Sequence, residues 1–137
     1  MATPHGHVTV NWIDDILEMH PVGPFNEEGT AISLEEMRAI ANTRIKDLQT
    51  WQRLDILSYE TLGGPRVMKM TGHSYLWCFE KGCNAIAIVY STQLQNAILL
   101  DFIKETNTNM KGFDNKPEAL EWLHEQHQAY LNKLASK

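Results

Sequence analysis

Two cysteines, Cys78 and Cys83, are too few for a disulfide framework. That removes the small stapled secreted scaffolds and leaves reduced thiols as the expectation. No uninterrupted apolar run approaches the roughly 20 residues that a membrane-spanning helix requires. Met1 to Val10 contains His5 and His7 but no basic stretch leading into an apolar core, so no secretory signal is expected. Basic residues are also scarce. Twelve Lys and Arg stand against 17 Asp and Glu, the net charge is −5, and only Arg66 and Lys69 lie close together. Such a chain repels phosphate backbones, so nucleic acid is not an expected partner. A phosphate-cradling loop is missing as well. Gly63-Gly64 runs into Pro65, Arg66 and Val67 where a Lys-Ser/Thr pair entering a helix would be needed. The absences together predict a cytoplasmic protein with no cofactor.

What is present is core material. Apolar residues make up 43% of 137 residues, enough for one domain spanning 1–137 with a real hydrophobic core. Val8 and Val10 alternate with Thr9 and Asn11, the period of a strand over His7 to Trp12. Asp14-Asp15 forms a turn, and Ile16 to Met19 returns as a hairpin partner that Pro21, Gly23 and Pro24 stop. Asn26 to Thr30 reads as a polar loop. Ser33 and Glu36 make a capping box for a helix reaching about Thr50, with Leu34, Met37, Ala41, Ile45 and Leu48 on one face. Arg53 to Tyr59 is a third strand. Gly63, Gly64 and Pro65 signal a turn, and Val67, Met68 and Met70 form a short strand or begin a helix. His73 to Lys81 is helical and Gly82 terminates it.

Asn84 to Tyr90 is almost wholly apolar, which predicts a strand covered on both faces. Ser91 or Thr92 caps a helix to about Thr106, with Leu94, Ala97, Ile98, Asp101 and Phe102 setting its register. Met110 to Phe113 is a last short strand. Asp114 or Asn115 caps the final helix, Pro117 sits in its first turn, and Leu120, Leu123, His127, Tyr130, Leu131 and Leu134 form its inner stripe. The order is β-β-α-β-α-β-α-β-α. It predicts an α/β fold with a mixed sheet of about five strands, parallel after the opening hairpin.

Reactive residue types are present without a convergent pattern. Cys78, Cys83 and His73 lack a fourth zinc ligand, and Cys78 lies in the aromatic run of Tyr75, Trp77 and Phe79, so buried inert thiols are expected. His124 and His127 share a helix with Glu121 and Glu125, but one helix alone is not a metal site. The acid pairs Asp14-Asp15 and Glu27-Glu28 lie in exposed turns, where both carboxylates are solvated and no acid–base division arises. Arg66 reads as a surface arginine after a turn. The aromatic group with Met68 and Met70 exceeds what one helix face needs, and Trp77 points away from the face shared by Tyr75 and Phe79. Core packing is the first account of it, and lining a ligand pocket or dimer interface the second.

Three stretches carry a resemblance. Gly23-Pro24-Phe25-Asn26 after the second strand, the Asn84 to Tyr90 strand, and Phe113 to Leu123 with Ala119, Trp122 and Leu123 are similar to the STAS/SpoIIAA-like proteins, the last to the branch grouped with SEC14-type lipid-binding domains. The resemblance runs from about His7 to Leu134. It implies a SpoIIAA-like fold and a non-enzymatic regulatory or protein-interaction module akin to the anti-sigma factor antagonists. It also marks Pro24, Phe25, Asn26, Ser58, Thr61, Gly63 and Gly64 as a partner-binding end; Trp77 is a further candidate, from the aromatic surplus alone. Where sigma-regulating members carry an Asp-Ser-Ser-Gly-like turn with a phosphorylated serine, this chain reads Leu57-Ser58-Tyr59-Glu60-Thr61-Leu62-Gly63-Gly64. The motif is absent, and the phospho-switch does not carry over. The alternative expectation is a carrier or sensor of a small apolar ligand or lipid. A homodimer is the default assembly, and neither a metal nor a catalytic residue is expected.

Overall fold

The opening hairpin forms through a two-residue turn. A computed structural model describes residues 2–137, and in it β1 (His7–Ile13) pairs antiparallel with β2 (Ile16–Val22). Asp14 takes a left-handed conformation, φ 53°, as tight hairpin turns require of their central residues. Val8 and Val10 are buried while His7, Thr9 and Asn11 are exposed. Pro21 does not end β2, contrary to expectation. Pairing of β2 with β4 stops at Met19, so the missing amide of Pro21 faces no partner on that side, and β1 continues to hold the strand to Val22.

A two-residue strand β3 (Pro24–Phe25) follows, then helix α1 (Glu27–Asn42). The helix begins seven residues before the expected Ser33-Glu36 cap. Asn26 is extended and its side chain accepts from the Gly29 amide, so the stretch read as a polar loop is the first turn. Gly29 is required there. A Cβ at this position would run into the carbonyl of His5, which lies across the helix start. Ser33 is buried within the helix. The helix stops at Asn42, and a short 3-10 turn at Ile45–Asp47 brings Ile45 and Leu48 onto the core.

Strand β4 (Trp51–Ile56) starts and ends slightly earlier than expected. After β5 (Leu62–Gly63), which pairs parallel with β3, helix α2 (Pro65–Glu80) begins eight residues before His73. Pro65 at its first position loses no hydrogen bond. Gly82 adopts φ 97° just past its end, as a terminating glycine does. Strand β6 (Cys83–Val89), helix α3 (Gln93–Thr106), strand β7 (Met110–Phe113) and helix α4 (Lys116–Ala135) complete the chain. Thr92 and Gln95 form a reciprocal capping box for α3, and Asn115 caps α4 through the Glu118 amide.

The five-stranded sheet runs β1-β2-β4-β6-β7, with all neighbours after the hairpin parallel. Right-handed crossovers that always step in one direction place their helices on one face. The packing agrees. Met37 and Ala41 of α1, Cys78 of α2 and Leu99 of α3 share one core with Leu17, Met19, Trp51, Ile86 and Ile88. Ala119 and Leu123 of α4 close the other face over Leu54, Ala85, Ala87, Val89 and Phe113.

Two helix registers differ from expectation. In α3 the buried positions are Gln95 and Leu99, whereas Leu94, Ala97 and Asp101 are exposed. In α4 they are Ala119 and Leu123, and Leu120 is exposed while His127, Tyr130, Leu131 and Leu134 are half-buried.

Candidate functional site

Strand β4 carries two charges into the interior. Residues i and i+2 of a strand share a face, so Arg53 and Asp55 lie together beneath α2, at 1% and 2% exposure. Burying an ion without a partner is very costly. Here the guanidinium forks onto the carboxylate: Nε donates to Oδ1 at 2.7 Å and Nη2 donates to Oδ2 at 2.9 Å. Nη1 donates to Ser74 Oγ at 3.1 Å and to Cys78 Sγ at 3.5 Å, both on α2. The Tyr75 ring covers the guanidinium at 4.6 Å, a cation–π contact, and Phe102 of α3 meets Tyr75 edge-on at 5.5 Å.

The environment sets the charge states. Burial opposes the charge on Arg53, but the adjoining Asp55 carboxylate outweighs it and Arg53 is held firmly protonated. Burial, reinforced by the Asp55 charge, pushes Tyr75 up, so it stays a phenol. Burial also pushes Cys78 up, against the Arg53 charge, and leaves a thiol without nucleophilic character. Cys83 is raised well above its ordinary value, again by burial.

Arg53, Asp55, Tyr75 and Phe102 border a cavity of about 680 Å³ under the stretch of α2 from Pro65 to Leu76. Its walls are chiefly apolar, with Met19, Leu57, Val67, Leu76, Ile98 and Phe102 contributed by four different elements or their ends. Its polar groups are Arg53, Asp55 and Tyr75 on β4 and α2, Thr30 and Ser33 on α1, Thr61 and Gln95 toward the strand ends, and Thr71 with a few charged residues at the rim. Its size and balance are those of a small-molecule pocket.

The loops at the carboxyl ends of β4 and β6 are joined by one network. Gln95 Nε2 donates to the carbonyls of Ser58 and Thr61 at 3.0 and 3.1 Å, and its Oε1 accepts from the Ser91 amide at 2.7 Å. Thr61 Oγ1 accepts from the Ser58 amide, lies 2.6 Å from Ser58 Oγ, and donates to the Pro21 carbonyl at 3.0 Å. Ser58 Oγ accepts a long bond, 3.5 Å, from the Gly23 amide.

The structure thus gathers most of the residues marked by the sequence. Pro24 and Phe25 pair with Leu62 and Gly63, Ser58 and Thr61 share hydroxyl contacts, and Gly64 precedes α2 as its cap. Phe25, Thr61 and Gly63 also line the cavity. Asn26 is committed to the framework: it caps α1, accepts from the His5 amide and donates to the Thr3 carbonyl. Trp77 stands apart from this group, in the last turn of α2, packed against the core and away from the cavity. His124 and His127 border a shallow hollow with Asp14 and Asp15. Among the described residues no three His, Cys, Asp or Glu side chains are placed to hold a metal ion. No helix among them is long and apolar enough to cross a membrane.

Sequence reasoning missed Arg53, Asp55 and Gln95. The available signal was two opposite charges two apart in a strand that also holds Trp51, Leu54 and Ile56.

No family model matches this chain, and no curated protein matches it. Solved structures do. An uncharacterised DUF3478-family protein with a SpoIIAA-like fold from Shewanella loihica PV-4 superposes with a TM-score of 0.60 at 17% identity, over 90% of this chain and 97% of that one. An anti-sigma factor antagonist from Mycobacterium paratuberculosis superposes with a TM-score of 0.57 at 16% identity, over 88% and 95%. The strand order, the opening hairpin and the two helix layers are those of a SpoIIAA-like α/β fold, and this chain has that fold.

Proposed function

We propose that this protein is a non-enzymatic regulatory module that carries or senses a small, mainly apolar ligand. The observation that supports the reading is the cavity of about 680 Å³ with apolar walls and a few polar groups. No pair of titratable groups around it has the divergent environments that acid–base chemistry uses, and among the described residues no cysteine lines it. Phe25, Thr61 and Gly63 belong both to the cavity wall and to the strand-end loops, so occupancy bears directly on the outer face of those loops. Native mass spectrometry of freshly purified protein tests this. A bound mass of a few hundred daltons that organic extraction removes supports it. An empty protein that takes up no apolar probe overturns it.

A second reading has its own support in the superposed anti-sigma factor antagonist. In it the strand-end loops, Pro24 to Asn26 and Ser58 to Gly64, dock on a protein partner of the anti-sigma factor or kinase type. Tyr59, 75% exposed on that loop, is a large apolar side chain open to solvent, as binding faces provide. Since the Asp-Ser-Ser-Gly turn is absent, docking in this reading requires no phosphate. Titration with a candidate anti-sigma factor or partner kinase tests it: binding that Tyr59→Ala weakens supports it, and no binding overturns it.

A further inference from the structure

The polar floor of the cavity narrows the ligand class, and this step rests on the ligand-binding reading above. We infer that the cavity takes an amphiphile whose head group is uncharged and both donates and accepts hydrogen bonds, such as an alcohol or a primary amide, seated on Arg53, Asp55 and Tyr75.

The argument begins with charge. Arg53 and Asp55 neutralise one another within a two-bond fork, and Tyr75 beside them is a phenol. The remaining ionisable groups on the cavity, Lys69, His73, Asp101 and Glu105, are all exposed residues at the rim. The floor therefore offers no unpaired buried charge. An ionised head placed there loses its hydration and gains no counter-ion.

Hydrogen-bond capacity comes next. A guanidinium has five N–H donors and a carboxylate about four acceptor sites. Nε and Nη2 each give one hydrogen to Asp55, and Nη1 gives its two to Ser74 and Cys78, which leaves one on Nη2. Asp55 receives only the two bonds from Arg53, so each of its oxygens keeps a free acceptor site. Among the described residues the Tyr75 hydroxyl has no side-chain or backbone partner, although both Tyr75 and Asp55 line the cavity. Free donors and free acceptors side by side match a head that does both. A carboxylate only accepts and would face Asp55; an ammonium only donates and would face Arg53.

The probes are 1-decanol, decanoate and decylamine, equal in chain length and different in head. Their affinities for the full chain are measured at pH 7 by calorimetry, with thermal shift alongside. The expected result is 1-decanol tighter than either ion by about tenfold or more, the scale of a charge left unpaired in an apolar site. Tyr75→Phe keeps the ring over Arg53 and removes the hydroxyl, and is expected to weaken 1-decanol several-fold with little change for the ions. Asp55→Asn leaves Arg53 unbalanced, and the preference is expected to move toward decanoate. Decanoate or decylamine binding as well as 1-decanol in the unaltered protein overturns the inference and leaves ligand binding standing. Failure of both substitutions to alter the preference overturns it too. If none of the three probes binds, the ligand-binding reading falls with it.

Discussion

Arg53 and Asp55 meet through parallel bonds of 2.7 and 2.9 Å from positions two apart on β4. The strand itself supplies this geometry, because alternate side chains emerge on one face at a spacing a guanidinium can bridge. Their union lets the sheet carry full charges at its centre.

Removing one partner strands the other in the interior. Arg53→Met is expected to cost about 3–5 kcal/mol, the range for breaking a buried pair. The double variant Arg53→Met with Asp55→Leu is expected to recover part of that loss, since no orphan charge remains. Urea unfolding of the two single variants and the double gives the coupling. Additive losses would show that the pair does not act as a unit.

The fold was largely legible in the sequence and the site was not, for a physical reason. Apolar periodicity reports which residues leave water. It found β6 because Asn84 to Tyr90 is apolar on both faces, and α4 because Leu120, Leu123, His127 and Leu131 recur at helical spacing after Asn115 and Pro117, although the position that is buried beside Leu123 is Ala119. Periodicity misleads where a polar residue goes inside with its partners. Gln95 occupies an inner position of α3 because it holds the Ser58 and Thr61 carbonyls, and this displaced the expected register by one residue toward Leu94. Arg53 and Asp55 were passed over for the same reason, since each is the other's solvent.

Competing caps are the second source of error. Ser33 with Glu36 satisfies the capping-box pattern, yet Asn26 begins α1 because the segment before β1 lies across the helix start and donates the His5 amide to it. That is a contact between residues 21 apart, invisible to a local pattern. The network predicts that Asn26→Ala costs about 1–2 kcal/mol, the upper part of the range for a cap. Asn26→Asp keeps the acceptor for Gly29 and loses the donor to Thr3, and is expected to fall between. Hydrogen exchange at the Gly29 amide checks the assignment: it accelerates in Asn26→Ala and much less in Asn26→Asp.

On the α4 face of the sheet, Glu18 meets His20 Nε2 at 2.8 Å and Lys116 Nζ at 3.0 Å. Burial pushes its carboxyl up, but the hydrogen bonds from His20 and Lys116 and the charge on Lys116 outweigh it, and the group ends below the usual 4.5. A carboxylate whose folded value is depressed adds stability that is fully present above the unfolded value and is lost as pH falls through the folded one. Glu18→Gln is therefore expected to be less stable than the unaltered chain at pH 7, with the gap closing below about pH 4. Denaturation midpoints at pH 7, 5 and 3 measure it. A gap that stays constant across this range would assign the effect to packing.

The cavity makes the last prediction. A hollow of about 680 Å³, half open to solvent, leaves the side chains that line it short of packing contacts. If the void is retained for a ligand, filling it separates stability from binding. Ile98→Trp narrows it from α3, and Leu34→Phe narrows it from α1; both residues are half-buried on its wall. The combined variant is expected to gain about 0.5–2 kcal/mol in the ligand-free state, as cavity-filling changes commonly do. It is also expected to lose the bound mass in native mass spectrometry and the thermal shift with 1-decanol. Leu94→Ser, at a position 57% exposed and off the cavity, serves as the control and should alter neither. A filled variant that is more stable and still binds the probe with unchanged affinity would place the ligand elsewhere on the molecule. One that loses stability without losing binding would show that the added side chains press into the surrounding core and not into the cavity, since overpacking a site that cannot expand is penalised.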